Sequence, residues 1–138
     1  MLKVLIVDDS LAIRIKMKNI VKKLGHSVVG EAKDGEEAIT RFKELTPDLV
    51  TLDISMPGLN GVDALKEIMK ISANQANIIM ITANGQDGIV KDALLSGAKG
   101  YILKPISEEK LQDSIGKIFK EYHMNENDTL DDNDLDNL

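Results

Sequence analysis

Four stretches of the chain place chemically capable side chains directly after apolar runs. KVLIVDDS (3–10) passes from valine, leucine and isoleucine into Asp8 and Asp9. DLVTLD (48–53) ends on Asp53, NIIMIT (77–82) ends on Thr82, and KGYIL (99–103) is followed by Lys104. An Asp or Ser after a strand is commonly a turn former or a helix N-cap, so any one of these residues alone means little. Their combination means more. Three carboxylates crowded at one edge repel one another and resist desolvation, so without compensation one of them should keep its proton to unusually high pH. A hard divalent cation removes that conflict. Magnesium prefers octahedral oxygen coordination, taking one or two protein carboxylates and the rest from water or substrate phosphate.

Whether these groups meet depends on the elements that carry them. Short Val-, Ile- and Leu-rich runs at 2–7, 27–31, 48–53, 77–82 and 99–103 read as strands. Helical patterns lie between them. In the first, Ile13, Met17, Ile20, Val21 and Leu24 share a face, with Ser10 as N-cap and Gly25 as the stop. The second uses Ala38, Phe42 and Leu45 and ends before Pro47; the third uses Val62, Leu65, Ile68 and Met69. The fourth, around Ile89, Val90, Ala93 and Leu94, ends at Gly97. In the last, Ser107 caps a helix whose stripe is Leu111, Ile115, Ile118, Phe119 and Tyr122.

Strand and helix alternating in this way imply right-handed βαβ units and an α/β, doubly wound parallel sheet of five strands with five helices on its two faces. The central runs LIV, LVTL and IIMI are nearly continuous, as strands buried on both sides should be. In such sheets ligands bind beyond the carboxyl ends of the strands, where strand order reverses. Four strand ends offer a carboxylate, a hydroxyl or an ammonium to that edge. The second strand, ending near Glu31 and Ala32, offers nothing so obvious, which fits an outer position.

Composition narrows the function. The formal net charge of −6 resides wholly in residues 125–138, NENDTLDDNDLDNL, which hold six of the 23 acidic side chains and none of the 17 basic ones. Residues 123–138 are therefore expected to be an acidic, solvated and disordered tail behind a single domain over 1–122. The balanced body, poor in aromatics, argues against nucleic acid as a partner. Cysteine is absent, which excludes a disulfide framework and a thiolate nucleophile. No run approaches the roughly 20 apolar residues of a membrane span, and the opening is too short and acidic for a secretory signal, so a cytoplasmic protein is the default. His26 and His123 read as two ordinary surface histidines.

VDDS after the first strand, LDISMPGLNG (52–61) around the third, ITA (81–83), GAKGYILKP (97–105) and the spacings between them resemble the receiver domains of two-component response regulators, and most closely stand-alone regulators of the chemotaxis type. The resemblance implies a flavodoxin-like sheet of order 2-1-3-4-5. It also implies that Asp9 and Asp53 bind Mg2+ directly, Asp8 through a water, and Ser55 through its backbone carbonyl. Asp53 would accept a phosphoryl group from a sensor histidine kinase or a small acyl phosphate, with Lys104 and Thr82 meeting the phosphoryl oxygens. Thr82 and Tyr101 would transmit the change, Thr82 pulling on the NGQDG loop (84–88) and Tyr101 moving from exposed to buried. The fourth helix, fifth strand and fifth helix would then bind a target, such as a flagellar motor switch component or a phosphotransfer protein. A monomer is implied that catalyses only its own phosphorylation and dephosphorylation. In that family the positions two residues beyond the nucleophile and beyond the strand-end threonine, here Ser55 and Asn84, tune the lifetime of the mark. The Lys104–Pro105 bond is often cis in this family.

Three rivals share part of the pattern. A haloacid-dehalogenase phosphatase needs an acid-base aspartate two residues after its nucleophile, where this chain has Ser55. A flavin carrier would have to hold an anionic phosphate against Asp8 and Asp9. A receiver-like module that works without phosphorylation is disfavoured by the retention of all five site residues. Among phosphorylated receivers, a motor regulator and a phosphorelay intermediate differ only in what touches the output face.

Overall fold

The structure, a computed structural model, describes residues 1–83 and 87–122. Each apolar run forms a strand and each periodic stretch a helix. In chain order these are β1 (Lys3–Val7), α1 (Leu11–Lys23), β2 (Ser27–Ala32), α2 (Gly35–Leu45), β3 (Leu49–Asp53), α3 (Gly61–Ile71), β4 (Ile78–Thr82), α4 (Asp87–Leu95), β5 (Gly100–Leu103) and α5 (Glu108–Ile118), followed by a 3-10 turn at Lys120–Tyr122.

Local chemistry sets the boundaries. Ser10, Asp34, Asn60 and Ser107 each accept a backbone N–H three residues on, which satisfies a donor that the first helical turn leaves open. Gly25, at φ +87°, turns the chain out of α1 as its place after the helix requires. Pro47 excludes continuation of α2, and Thr46 closes that helix in the left-handed region at φ 40°.

The strands are parallel in the order β2-β1-β3-β4-β5. Alternation along them splits the core into two layers. Leu5, Val7, Val50, Leu52, Ile78 and Met80 pack against α2, α3 and α4 through Ala38, Leu65, Ile68 and Ala93. On the other face Val4, Ile6, Leu49, Ile79, Ile81 and Ile102 meet α1 and α5 through Met17, Val21, Leu111 and Ile115. Burying both sheet faces is the source of most of the stability and fixes the strand register, because a one-residue slip would exchange the two layers.

Three details depart from the sequence reading. His26 is not a surface residue. The turn at Gly25 delivers it beneath the start of β1, where it is buried, its Nδ1 accepts the Leu2 N–H at 3.1 Å, and its ring meets Tyr122 edge-on with centroids 4.8 Å apart. Desolvation, aided by the nearby N-terminal ammonium, lowers its pKa. The α5 stripe does not run through to Tyr122 as one helix, since Phe119 is extended and Tyr122 closes a separate 3-10 turn. On α4, Val90 and Ala93 face the core while Ile89 and Leu94 remain about 40% exposed (41% and 40%). His123, the acidic tail and Asn84 with most of the NGQDG loop lie outside the described residues.

Candidate functional site

The parallel register carries the polar residues to one edge. Val7 pairs with Leu52, Asp53 with Ile81 and Thr82 with Leu103, so residues closing or following β1, β3, β4 and β5 share the carboxyl end of the sheet. There, carboxylate oxygens of Asp8, Asp9 and Asp53 all lie within 4.8 Å of one another. Asp8 and Asp53 are each 2% exposed, whereas Asp9 faces solvent. The Lys104 ammonium stands 3.3 Å from Asp8 Oδ2 and 3.5 Å from Asp53 Oδ1. Thr82 is buried at the end of β4, and its carbonyl accepts the Lys104 N–H at 2.8 Å, which ties the β5 exit to that strand. The Lys104–Pro105 bond is cis. Tyr101, on β5, is 46% exposed and lines a groove with Leu94 and Leu103.

The Asp53 carboxyl is pushed up to about 6. Burial is the main cause, and the neighbouring Asp8 carboxylate adds to it, with Asp9 a smaller contributor. The Lys104 ammonium and the hydrogen bond from the Ser55 backbone oppose the rise without cancelling it. One lysine is too little positive charge for three carboxylates. Asp8 Oδ2 is buried and receives no hydrogen bond from the described residues, although Lys104 lies within ion-pair distance. An anionic oxygen left in that condition costs about 1–3 kcal/mol or more. Hard oxygen donors, a charge deficit and an unsatisfied buried carboxylate oxygen together fit a divalent cation of the Mg2+ type.

Two supports of the site were not apparent from the sequence. The Ser10 N–H donates to Asp8 Oδ1 at 2.9 Å, and Arg14 Nη1 donates to the Asp8 carbonyl at 2.7 Å. Arg14 is in turn held by Glu31, Nε to Oε1 at 2.9 Å, and Lys18 binds the other Glu31 oxygen at 2.8 Å. Lys18, foremost, and Arg14 hold the Glu31 carboxyl below its usual range against the opposing effect of burial. The strand end that looked empty therefore anchors α1 and steadies Asp8. Arg14 and Glu31 are far apart in the chain, and only the pairing of Ile6 with Glu31 across β1 and β2 brings them together. Glu31→Gln should weaken both pairs and lower stability by up to about 1 kcal/mol, because the network is partly solvated. A urea midpoint unchanged from wild type would show that the pairs contribute nothing.

The MPGLNG segment does more than turn. A Cβ on Gly61 would lie 2.1 Å from the Asp53 carbonyl oxygen and 2.7 Å from Ile54 Cα, so only glycine lets α3 start this close to the end of β3. The Gly61 N–H donates to the Ile54 carbonyl at 2.9 Å, and Asn60 caps the same helix. The start of α3 thereby fixes the backbone that carries Asp53.

The sequence profile of the response regulator receiver domain matches residues 4–116. The chain belongs to this family. The receiver is 48% identical over 118 residues to "Chemotaxis protein CheY" of Thermotoga maritima, a match that covers 86% of this chain and 98% of the relative. It is 47% identical over 115 residues to the protein of the same name from Bacillus subtilis, covering 83% and 95%. Among solved structures, a chain of the CheX–CheY–BeF3–Mg2+ complex from Borrelia burgdorferi superposes with a TM-score of 0.81 at 39% identity, covering 85% of the receiver and 88% of that chain. The strand order and the five helices of the receiver are those the sequence led us to expect.

Proposed function

We propose that this receiver, over residues 1–122, accepts a phosphoryl group on Asp53 from a sensor histidine kinase and in that state binds a target protein in chemotaxis signalling in the cytoplasm. The observation that carries the proposal is the placement of Asp53, buried at the end of β3 among Asp8, Asp9 and Lys104 with its carboxyl raised. The chemotaxis assignment is supported by the names of the relatives. Among the described residues no helix is long and apolar enough to cross a membrane.

A carboxylate oxygen of Asp53 forms a bond to phosphorus as the phosphorus–nitrogen bond of the donor phosphohistidine breaks, and the leaving imidazole takes up a proton. Asp8, Asp9, Asp53 and the Ser55 carbonyl would hold Mg2+, which when bound neutralises the carboxylates and the phosphoryl oxygens. Lys104, already equidistant from Asp8 and Asp53 to within 0.2 Å (3.3 and 3.5 Å), would supply positive charge to the phosphoryl group. The Thr82 hydroxyl donates to a phosphoryl oxygen. Because the Thr82 carbonyl holds the Lys104 N–H, movement at either residue reaches β5 and Tyr101. Tyr101 then exchanges its exposed position for a buried one, and α4, β5 and α5 present the altered face to the target. The receiver acts as a monomer and catalyses only the formation and hydrolysis of its own acyl phosphate.

The test is a pair of amide NMR spectra with Mg2+ alone and with Mg2+ and beryllofluoride. Shifts confined to the site and to α4, β5 and α5, accompanied by tighter binding to a motor switch protein or a histidine phosphotransfer protein, are expected. Equal affinity in both states would refute the switch.

A further inference from the structure

Between α4 and α5, along β5, runs a groove of about 510 Å³. Its apolar floor is formed by Leu94, Tyr101 and Leu103, each 40–46% exposed, and Lys99, Lys110 and Lys117 stand around it. Among the described residues Lys110 Nζ meets only the carbonyl oxygens of Leu103 and Pro105, at 3.0 and 2.9 Å, and Lys99 Nζ only the Asn77 side-chain oxygen, at 3.2 Å. Among the described residues neither ammonium pairs with a carboxylate; Lys117 pairs with Asp113 on the surface of α5. Asp113 also lines the groove, which leaves Lys99 and Lys110 as rim cations without a carboxylate; half-exposed apolar side chains beside them call for an occupant that is both acidic and apolar.

We propose that the occupant is the chain's own C-terminal segment, residues 125–138. NENDTLDDNDLDNL brings six carboxylates, no basic group, and the three leucines Leu130, Leu135 and Leu138. It holds the whole net charge of the protein, opposite in sign to the rim of the groove. Reach is ample. The Tyr122 carbonyl accepts from Gln112 Nε2 at 3.0 Å, so the chain leaves beside the middle of α5. The 16 residues from 123 to 138 span up to about 50 Å extended, while a helix is about 10–12 Å across. Tethering gives the segment an effective concentration in the millimolar range, so weak intrinsic affinity suffices. A second exposed apolar pair, Leu11 and Ile15, lies on α1, where Arg14, Lys18 and Lys23 pair with Glu31 and Glu108 and Lys16 and Lys22 have no carboxylate partner among the described residues. The groove along β5 does not extend to it, so that face is the competitor the test must separate. Docking itself stands on the groove and the charges. Its consequence, that the tail masks the target-binding face, rests on the reading given under Proposed function.

The chain has no cysteine, so Asn137→Cys provides a single nitroxide site on the full-length protein. With the label in place, at low salt and without Mg2+ or beryllofluoride, the amide signals of Tyr101, Leu103, Lys110 and Lys117 should be lost while those of α2 persist. The signals should return in about 0.5 M sodium chloride, where screening shortens to a few Å. They should also return when Glu126→Gln is combined with Asn at positions 128, 131, 132, 134 and 136. Full intensity along the groove in low salt, or losses centred on α1, would overturn the proposal. Neither result touches the Asp53 reading, which is read separately by adding Mg2+ and beryllofluoride to the unlabelled protein.

Discussion

Asp53→Asn should yield a folded protein that takes up no phosphoryl group from acetyl phosphate and Mg2+, whereas the wild type should gain one, as read by intact-protein mass. The substitution preserves shape and removes the anionic oxygen that would form the new bond. Its neighbours are poor substitutes. Asp8 is pinned by the Ser10 N–H and by Lys104, and Asp9 lies on the solvent side of the cluster. Labelling should therefore fall below detection rather than move to an adjacent residue. Wild-type levels of label on Asp53→Asn, with the group mapped to Asp8 or Asp9, would reassign the nucleophile.

The same substitution should stabilise the metal-free protein at neutral and alkaline pH. The folded-state value for Asp53 is about 6, against an ordinary 3.8. Well below pH 3.8 the carboxyl is protonated whether the chain is folded or not, and it contributes no pH dependence. Between 4 and 6 the folded protein holds a proton that the unfolded chain has released, so stability falls as pH rises; above 6 the penalty is constant. The interval corresponds to about 3 kcal/mol, and desolvation of the replacing amide reduces the expected gain to about 1–3 kcal/mol. In EDTA at pH 8, Asp53→Asn should thus unfold at higher urea than wild type, and the difference should fade toward pH 4. The lowered pKa of His26 acts in the opposite sense, with stability lost as pH falls below the ordinary 6.5, but it is common to both proteins and cancels in the difference. Saturating Mg2+ should reverse the order, because a ligand that binds only the folded wild-type site stabilises it by mass action. A less stable variant at pH 8 in EDTA would mean that the carboxylates are already compensated.

Much of this architecture was legible before the structure. Continuous apolar runs ending on Asp53 and Thr82 marked central strands and the edge where their polar ends meet, because a two-sided sheet leaves no other place for such residues. The N-caps at Ser10 and Ser107 were readable for the same local reason: short oxygen-bearing side chains precede apolar periodicity. What escaped notice depends on pairing across the sheet. Glu31 resembled any surface acid until β2 lay beside β1 and brought it to Arg14 and Lys18. His26 resembled an ordinary surface histidine until the turn at Gly25 placed it under Leu2 and against Tyr122. The demand for glycine at position 61 arises from the Asp53 carbonyl on another element, a contact that no local pattern encodes.

A Mg2+ titration followed by amide NMR tests the central claim most directly, namely that oxygens from the ends of β1 and β3 converge on one ion. We expect a single saturable process with its largest shifts at residues 8–10 and 53–55, abolished by Asp9→Asn. Resonances of those residues that stay in place through millimolar Mg2+ would contradict the account.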